Sequence, residues 1–520
     1  MRSSSLWNVF LLELPFALAY PHQNQKSQNI SSISWSNCTF PLATPGACGT
    51  LKVPLDYTHS SSKETLDLQF VRADAVKKPS RGSILINQGG PGLDGQQFTA
   101  TFGAALQVMF GGYYDIIGFD PRGTGKTLPL NCSPNPSERF RFSLLAPATT
   151  NSSNTALGAS WAYSDLLAQA CYENGRDVGD LMGTAFVARD MIQIVDALDE
   201  DGMLRYWGQS YGTYLGATVA AMFPERIDKL VIDGVIDPVE EYDPAPAGDL
   251  ALNKYLEACI ATKNQTLCPL YRPNATAESL TNQIRDLVEE VKFEPIVMGS
   301  NTTTDLVTYV DIKGAINNPL RLMIAYATPL AGWLNAILTR DTTTYRLLRP
   351  RVVADPATLD STLDAVQNIR CTDTTWRTDN IEEARDLVHR VSNSSSLYGD
   401  VYASSFLACS KWRMQAKGRY EGDFKTKTKN PILIIGSPYD LRTPLISAQK
   451  VNKLFDGSVL LQHNGYGHCV MYSPGQCAIN AVQTYFTNGT LPNPGTTCEQ
   501  DYGIFSGKTI WDSFGVAPPS

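Results

Sequence analysis

The stretch YWGQSYGTYLGATVAAMFPERI, residues 206–227, decides how the chain is read. An apolar run, MLRYW at 203–207, leads into Gly208-Gln209-Ser210-Tyr211-Gly212, and small and apolar residues then recur at helical spacing. A serine fenced by two glycines between a strand and a helix is the pattern of a nucleophile elbow. The turn is so tight that side chains flanking the serine have no room.

The surrounding chain carries the rhythm such an elbow needs. TLDLQFVRADA at 65–75, GSILINQ at 82–88 and YYDIIGFD at 113–120 read as strands, and TAFVARDMIQIVDAL at 184–198 as an amphipathic helix with Thr184 as its N-cap. DKLVIDG at 228–234 is a further strand. Residues from about 240 to about 419 change character: amphipathic runs such as SLTNQIRDLVEEV and NIEEARDLVHRV are joined by polar loops. Strand-like runs then return with PILIIGS at 431–437 and SVLLQHN at 458–464, followed by the helical CAINAVQTYF at 477–486. Strands separated by helices imply a mostly parallel sheet wrapped on both faces. The expected fold is α/β, an alpha/beta-hydrolase sheet with a helical cap inserted before its last strands. The division is a signal peptide over 1–19, an N-terminal segment over 20–44, a first core part over 45–238, the cap over 239–419 and a second core part over 420–520.

A nucleophile needs a base, an orienting acid and an oxyanion hole. The chain holds five histidines. His22 follows the leader, His59 lies in a polar turn, His389 in a helix of the insert and His463 within a strand. His468, in HNGYGHC, sits on a glycine-rich loop just after that strand, where its side chain can reach a neighbouring strand end. The acid should lie between serine and histidine in chain order. Asp440 leaves the apolar strand of ILIIGSPYDLRTP, and Asp237, before the insert, is its rival. Gln88-Gly89-Gly90-Pro91-Gly92 follows the SILIN strand. Pro91 has no N–H, so Gly90 is one expected oxyanion donor and Tyr211, after the serine, the other. The expected catalytic set is Ser210, Asp440 and His468, with neither metal nor cofactor.

The net charge of −8 argues against a nucleic-acid partner. After the first twenty residues no run is apolar and long enough to span a bilayer. Arg2, the apolar stretch 6–16 and Ala17-Leu18-Ala19 form the three parts of a secretory signal, with Glu13 a blemish in the apolar part. Asn-x-Ser/Thr sequons stand at Asn29, Asn37, Asn131, Asn151, Asn264, Asn274, Asn301, Asn393 and Asn488. The 11 cysteines suit an oxidising compartment and lack metal-site spacing. Expected pairs are Cys38–Cys48, Cys132–Cys171, Cys259–Cys268, Cys371–Cys409 and Cys469–Cys477. Cys498 is left over as the expected free thiol or as a competitor for Cys477.

CGTLKVPLDY, NQGGPG, GFDPRGTG, GQSYGTYLG, FPERIDKLVIDGVIDP, GSPYDLRTP and GYGHC, in that order, resemble segments of secreted proline iminopeptidase-like and tripeptidyl aminopeptidase-like (TAP-like) serine hydrolases. The resemblance covers nearly all of the catalytic domain and thins through the insert. It implies a serine exopeptidase that releases residues from the free N-terminus of peptides. Ser210 would be nucleophile, Asp440 the orienting acid and His468 the base, with the Gly-Gly-Pro-Gly stretch lining the oxyanion hole. Gln88 stands where proline iminopeptidases usually have His, and Lys126-Thr127 departs from the usual ending after RGTG. Asp120 and Arg122 are expected to be a structural pair or loop anchors. The ammonium of a peptide substrate would need a carboxylate, for which Glu240, Glu241 and other insert acids are candidates. A secreted carboxylesterase or lactonase with the same triad is the alternative, and a non-catalytic binding protein of this fold a third reading.

Overall fold

The computed structural model describes residues 32–239, 247–299, 305–352 and 362–519. The leader, Glu240 and Glu241 lie outside the described residues.

Ten strands form one sheet. They are β1 (Ser34–Ser36), β2 (Gly46–Pro54), β3 (Thr65–Ala73), β4 (Ser83–Asn87), β5 (Asp115–Phe119), β6 (Leu204–Gln209), β7 (Ile227–Asp233), β10 (Leu433–Gly436), β11 (Val459–His463) and β12 (Thr497–Cys498). A separate hairpin of β8 (Ile296–Val297) and β9 (Leu306–Val307) lies in the insert. The order across the sheet is β1-β2-β3-β5-β4-β6-β7-β10-β11-β12. The strands β1, β2 and β3 are antiparallel to their neighbours, and from β5 onward every pairing is parallel. This is the alpha/beta-hydrolase fold anticipated from the strand rhythm.

The central strands are apolar without interruption because helices cover both faces. Successive residues of β4 divide between the two layers: Ile84 and Ile86 join Phe110, Trp207 and Val482, whereas Leu85 joins Met191, Tyr206 and Leu215. The chain between β7 and β10 forms helices from Ala247–Thr262 to Gly399–Leu407, around a core that includes Tyr255, Trp333 and Tyr345 and is joined by Leu441, Ile504 and Phe505. A second excursion, unforeseen in the sequence, joins them. The helix Ala156–Gly175 follows β5 and sets Leu157 and Trp161 against the insert's Leu387, Val391 and Phe406.

Four disulfides form as expected: Cys38–Cys48, Cys132–Cys171, Cys259–Cys268 and Cys371–Cys409. The fifth does not. Cys477, in the first turn of the helix Gln476–Asn488, bonds Cys498 on β12, and Cys469 is a buried free thiol. Cys469 turns away because its Sγ packs against Gly234 and donates to the Asp233 carbonyl at 3.4 Å. Adjacency in sequence suggested a clamp on the histidine loop, but β12 beside β11 supplies the nearer partner.

Thr184 is likewise displaced from its expected role. Gly183 is the N-cap, and Thr184 is the first helical residue, with its N–H donating to Asp373 of the insert at 3.0 Å. Asp120 and Arg122 are anchors with different partners. Asp120 accepts from Gln96 N and Nε2, while Arg122 makes a two-pronged contact with Asp190 at 2.7 and 2.9 Å. Both members of that ion pair are fully buried, and Tyr57 Oη donates to Asp190 as well. Removing one member leaves the other charge uncompensated. Arg122→Met is therefore expected to cost about 3–5 kcal/mol, read as a lower urea midpoint with unchanged slope; a midpoint equal to wild type would contradict it.

Candidate active site

Ser210 stands between β6 and the helix Tyr211–Met222, at its N-cap position, with φ 54° and ψ −122°, a conformation unusual for any residue with a side chain. The two flanking glycines are required by backbone contact. A Cβ on Gly208 would lie 2.2 Å from the Gly212 carbonyl oxygen, and one on Gly212 would lie 2.3 Å from the Asn87 carbonyl oxygen. That answers why glycines fence the serine: helix, strand and the neighbouring β4 meet there backbone to backbone.

Asp440 and His468, the expected acid and base, sit at the same carboxyl edge of the sheet, where open α/β sheets place their sites. His468 Nδ1 lies 2.7 Å from Asp440 Oδ2. Asp440 is fully buried and accepts from Arg442 N, Thr443 N and Thr443 Oγ1 at 2.8, 3.1 and 2.6 Å. With its lone pairs fixed this way, the carboxylate holds Nδ1–H and leaves Nε2 as the acceptor. The loop carrying His468 is held from outside the sheet as well, since His468 N donates to Arg321 O of the insert at 2.9 Å. His463 is structural, its Nε2 bonded to the Ser473 carbonyl, and His59 and His389 are exposed. Asp237 instead forms a turn with Val239 N.

Gly89 packs against Ser210, and its N–H is taken by Asn87 Oδ1 at 2.9 Å. Gly90 and Tyr211, the two expected donors, both line a cavity of about 90 Å³. Pro91, Tyr214 and Ile236 line it from the sheet side, and Arg370, Asp373, Tyr402 and Phe406 of the insert line the rest. Its walls are mainly aromatic and aliphatic, with polar groups concentrated on one helix turn of the insert, Thr362–Asp373.

Three contributors escaped the sequence reading. Thr443 and Arg321 show no signal beyond lying near a motif or in a helix. Asp233 could have been found, because the acid closing the VID strand faces the same edge as the serine. Its carbonyl accepts from Ser210 N at 3.1 Å and its Oδ2 from Val470 N at 2.9 Å. It thereby ties the serine turn to the histidine loop.

Two family models match the chain. Residues 82–256 match the alpha/beta hydrolase fold and residues 395–498 match the TAP-like protein family. The chain has the alpha/beta-hydrolase fold, and its later part resembles the TAP-like family. It is 26% identical to the tripeptidyl aminopeptidase of Streptomyces lividans over 90% of this chain and 87% of that protein. It is also 26% identical to serine protease Hip1 of Mycobacterium tuberculosis (strain ATCC 25618 / H37Rv), over 90% of this chain and 91% of that one. Carboxylesterase B of the same strain is 28% identical over 89% of each chain. A serine hydrolase is what these relatives and the fold have in common, and the chain is one.

Within this hydrolase the Asp233 carboxyl is also shifted from its ordinary range. Complete burial pushes its carboxyl up from 3.8 to about 7, and the nearby Asp440 adds to the rise against the Val470 N–H and Gln209 contacts. A carboxyl whose folded pKa exceeds its unfolded value stabilises the fold while it is protonated. That contribution is complete below 3.8 and is lost as the pH rises through about 7. Asp233→Asn, which keeps an acceptor for Val470, is therefore expected to flatten the decline in Tm across that interval. Identical Tm–pH slopes for variant and wild type would refute it.

Proposed function

We propose that this hydrolase is a secreted exopeptidase that releases residues from the free N-terminus of peptides through an acyl-enzyme. Ser210 Oγ attacks the scissile carbonyl while His468 Nε2 takes its proton. Asp440 stabilises the resulting imidazolium without becoming protonated. The N–H groups of Gly90 and Tyr211 receive the charge that develops on the carbonyl oxygen. His468 then protonates the leaving amine, and water attacks the acyl-enzyme by the same steps in reverse roles.

The observation that carries the exopeptidase reading is the small, half-open cavity beside Gly90 and Tyr211, lined on one side by the insert. A chain end enters such a space where the middle of a polypeptide does not fit. The insert also brings Asp373, the one carboxylate among the cavity's described lining residues. Its two oxygens lie 3.0 and 3.1 Å from Thr184 N, which holds it in place. A carboxylate at this position offsets the desolvation of a substrate ammonium, the role considered for Glu240 and Glu241. The relatives named tripeptidyl aminopeptidase support the reading, and the relative named carboxylesterase B supports the ester alternative. Secretion is supported by the five disulfides and by the sequon asparagines Asn37, Asn131, Asn151, Asn264, Asn274, Asn393 and Asn488, all exposed among the described residues. No helix of the described residues is long and apolar enough to cross a membrane.

Ser210→Ala is expected to lower kcat by roughly 10⁴- to 10⁶-fold with an unchanged melting curve and loss of fluorophosphonate labelling. Substantial remaining turnover would remove Ser210 from the mechanism. For the substrate class, acetylating the amino end of a cleaved peptide should reduce kcat/KM by at least roughly 10²-fold, and Asp373→Asn should shrink that difference. If blocked and free peptides react equally, or only esters react, the esterase reading replaces this one.

A further inference from the structure

Three arginines surround one buried phenol, Tyr398, and among the described residues none of them forms an ion pair. Arg442 follows Asp440 by two residues, and Arg321 offers its carbonyl to His468 N. Arg370 lines the cavity beside Gly90 and Tyr211. Arg442 donates to the Tyr398 hydroxyl and lies 5.1 Å from that ring's centroid. Burial pushes the Tyr398 hydroxyl up to about 12, while Arg442, Arg370 and Arg321 each pull it the other way.

This arrangement is costly. Arg321 and Arg442 each bury an Nε–H that has no hydrogen-bond partner. Burial lowers the Arg321 guanidinium below its usual range, and the neighbouring Arg442 lowers it further. The one acid among the same cavity's described lining residues, Asp373, stands one helix turn from Arg370 and is held by Thr184. Like charges held together, partly desolvated and missing acceptors do not stabilise a fold. A guanidinium fork presents paired donors in the geometry of a carboxylate.

We propose that Arg370, Arg321 and Arg442 form a carboxylate-binding subsite at the rim of the active-site cavity, so that the enzyme favours substrates carrying a carboxylate near the bond it cleaves. The proposal rests on Ser210 and His468 being the reacting pair, and it holds for a peptide or an ester substrate. The carboxylate of a peptide comes from its C-terminus or from an acidic side chain. Either places an anion where the two Nε–H groups and the Arg370 fork lack one.

The test uses the full-length enzyme and matched substrates. One pair of tetrapeptides differs only in a C-terminal carboxylate or carboxamide, and a second, amidated pair carries Glu or Gln after the cleaved bond. At least one pair should show a kcat/KM at least about tenfold higher for the anionic member, carried mainly in KM. The first pair responding assigns the terminus, and the second assigns the side chain. In Arg370→Gln and Arg321→Gln the ratio should fall to within about threefold of unity. No preference in wild type, or a preference that survives both substitutions, overturns the subsite.

Should a variant fail to fold, glutarate decides with wild-type enzyme alone. It should slow fluorophosphonate labelling where glutaramide does not, and equal rates overturn the proposal. If no peptide is cleaved, the aminopeptidase reading fails. The subsite is then judged on the monoester and diester of glutaric acid, where hydrolysis of the diester at an equal or higher kcat/KM refutes it.

Discussion

Asp233 closes β7 with two acceptors that point to different parts of the site. Its carbonyl receives the Ser210 N–H, and its carboxyl receives the Val470 N–H two residues beyond His468. The serine and histidine loops come from chain positions more than two hundred residues apart, yet they are registered on one residue. Its carboxyl is deeply buried and titrates near neutrality, with Asp440 close enough to add to its rise. The protein tolerates a difficult acid here because a shorter or apolar side chain would leave the Val470 N–H unsatisfied.

The insert is part of the site's construction as well as of its lining. Asp373 accepts the N–H and hydroxyl of Thr184, and that hydroxyl lies 2.5 Å from Tyr211 Oη. Arg321 at the end of the helix Tyr309–Arg321 holds the histidine loop by a backbone contact. Both Tyr211 and His468 are thus fastened to elements that lie between β7 and β10. A change deep in the insert can alter catalysis without touching substrate.

What was legible in the sequence follows the physics of close packing and chain order. The elbow could be read because only glycine fits at 208 and 212, and His468 because few histidines compete. The sheet could be read because its strands are apolar runs of strand length. The fifth disulfide could not, since pairing depends on which strand lies beside β11, and a two-residue strand such as β12 has no pattern to recognise. Thr184 looked like a helix cap because local rules favour it; an acid nearly two hundred residues away took part of that work. The arginine cluster is invisible in sequence, as its members come from three separate segments.

The pairing of β10 with β7 across the whole insert has a consequence for the protein's birth. Synthesis runs from the amino end, so the serine turn and the insert exist long before the loops that bear Asp440 and His468. No disulfide joins the early part to the late one, the widest bridging 39 residues. Completion therefore waits for a long-range parallel pairing, which is slow to form. Until all but about the last fifty residues are made, the chain carries Ser210 without His468.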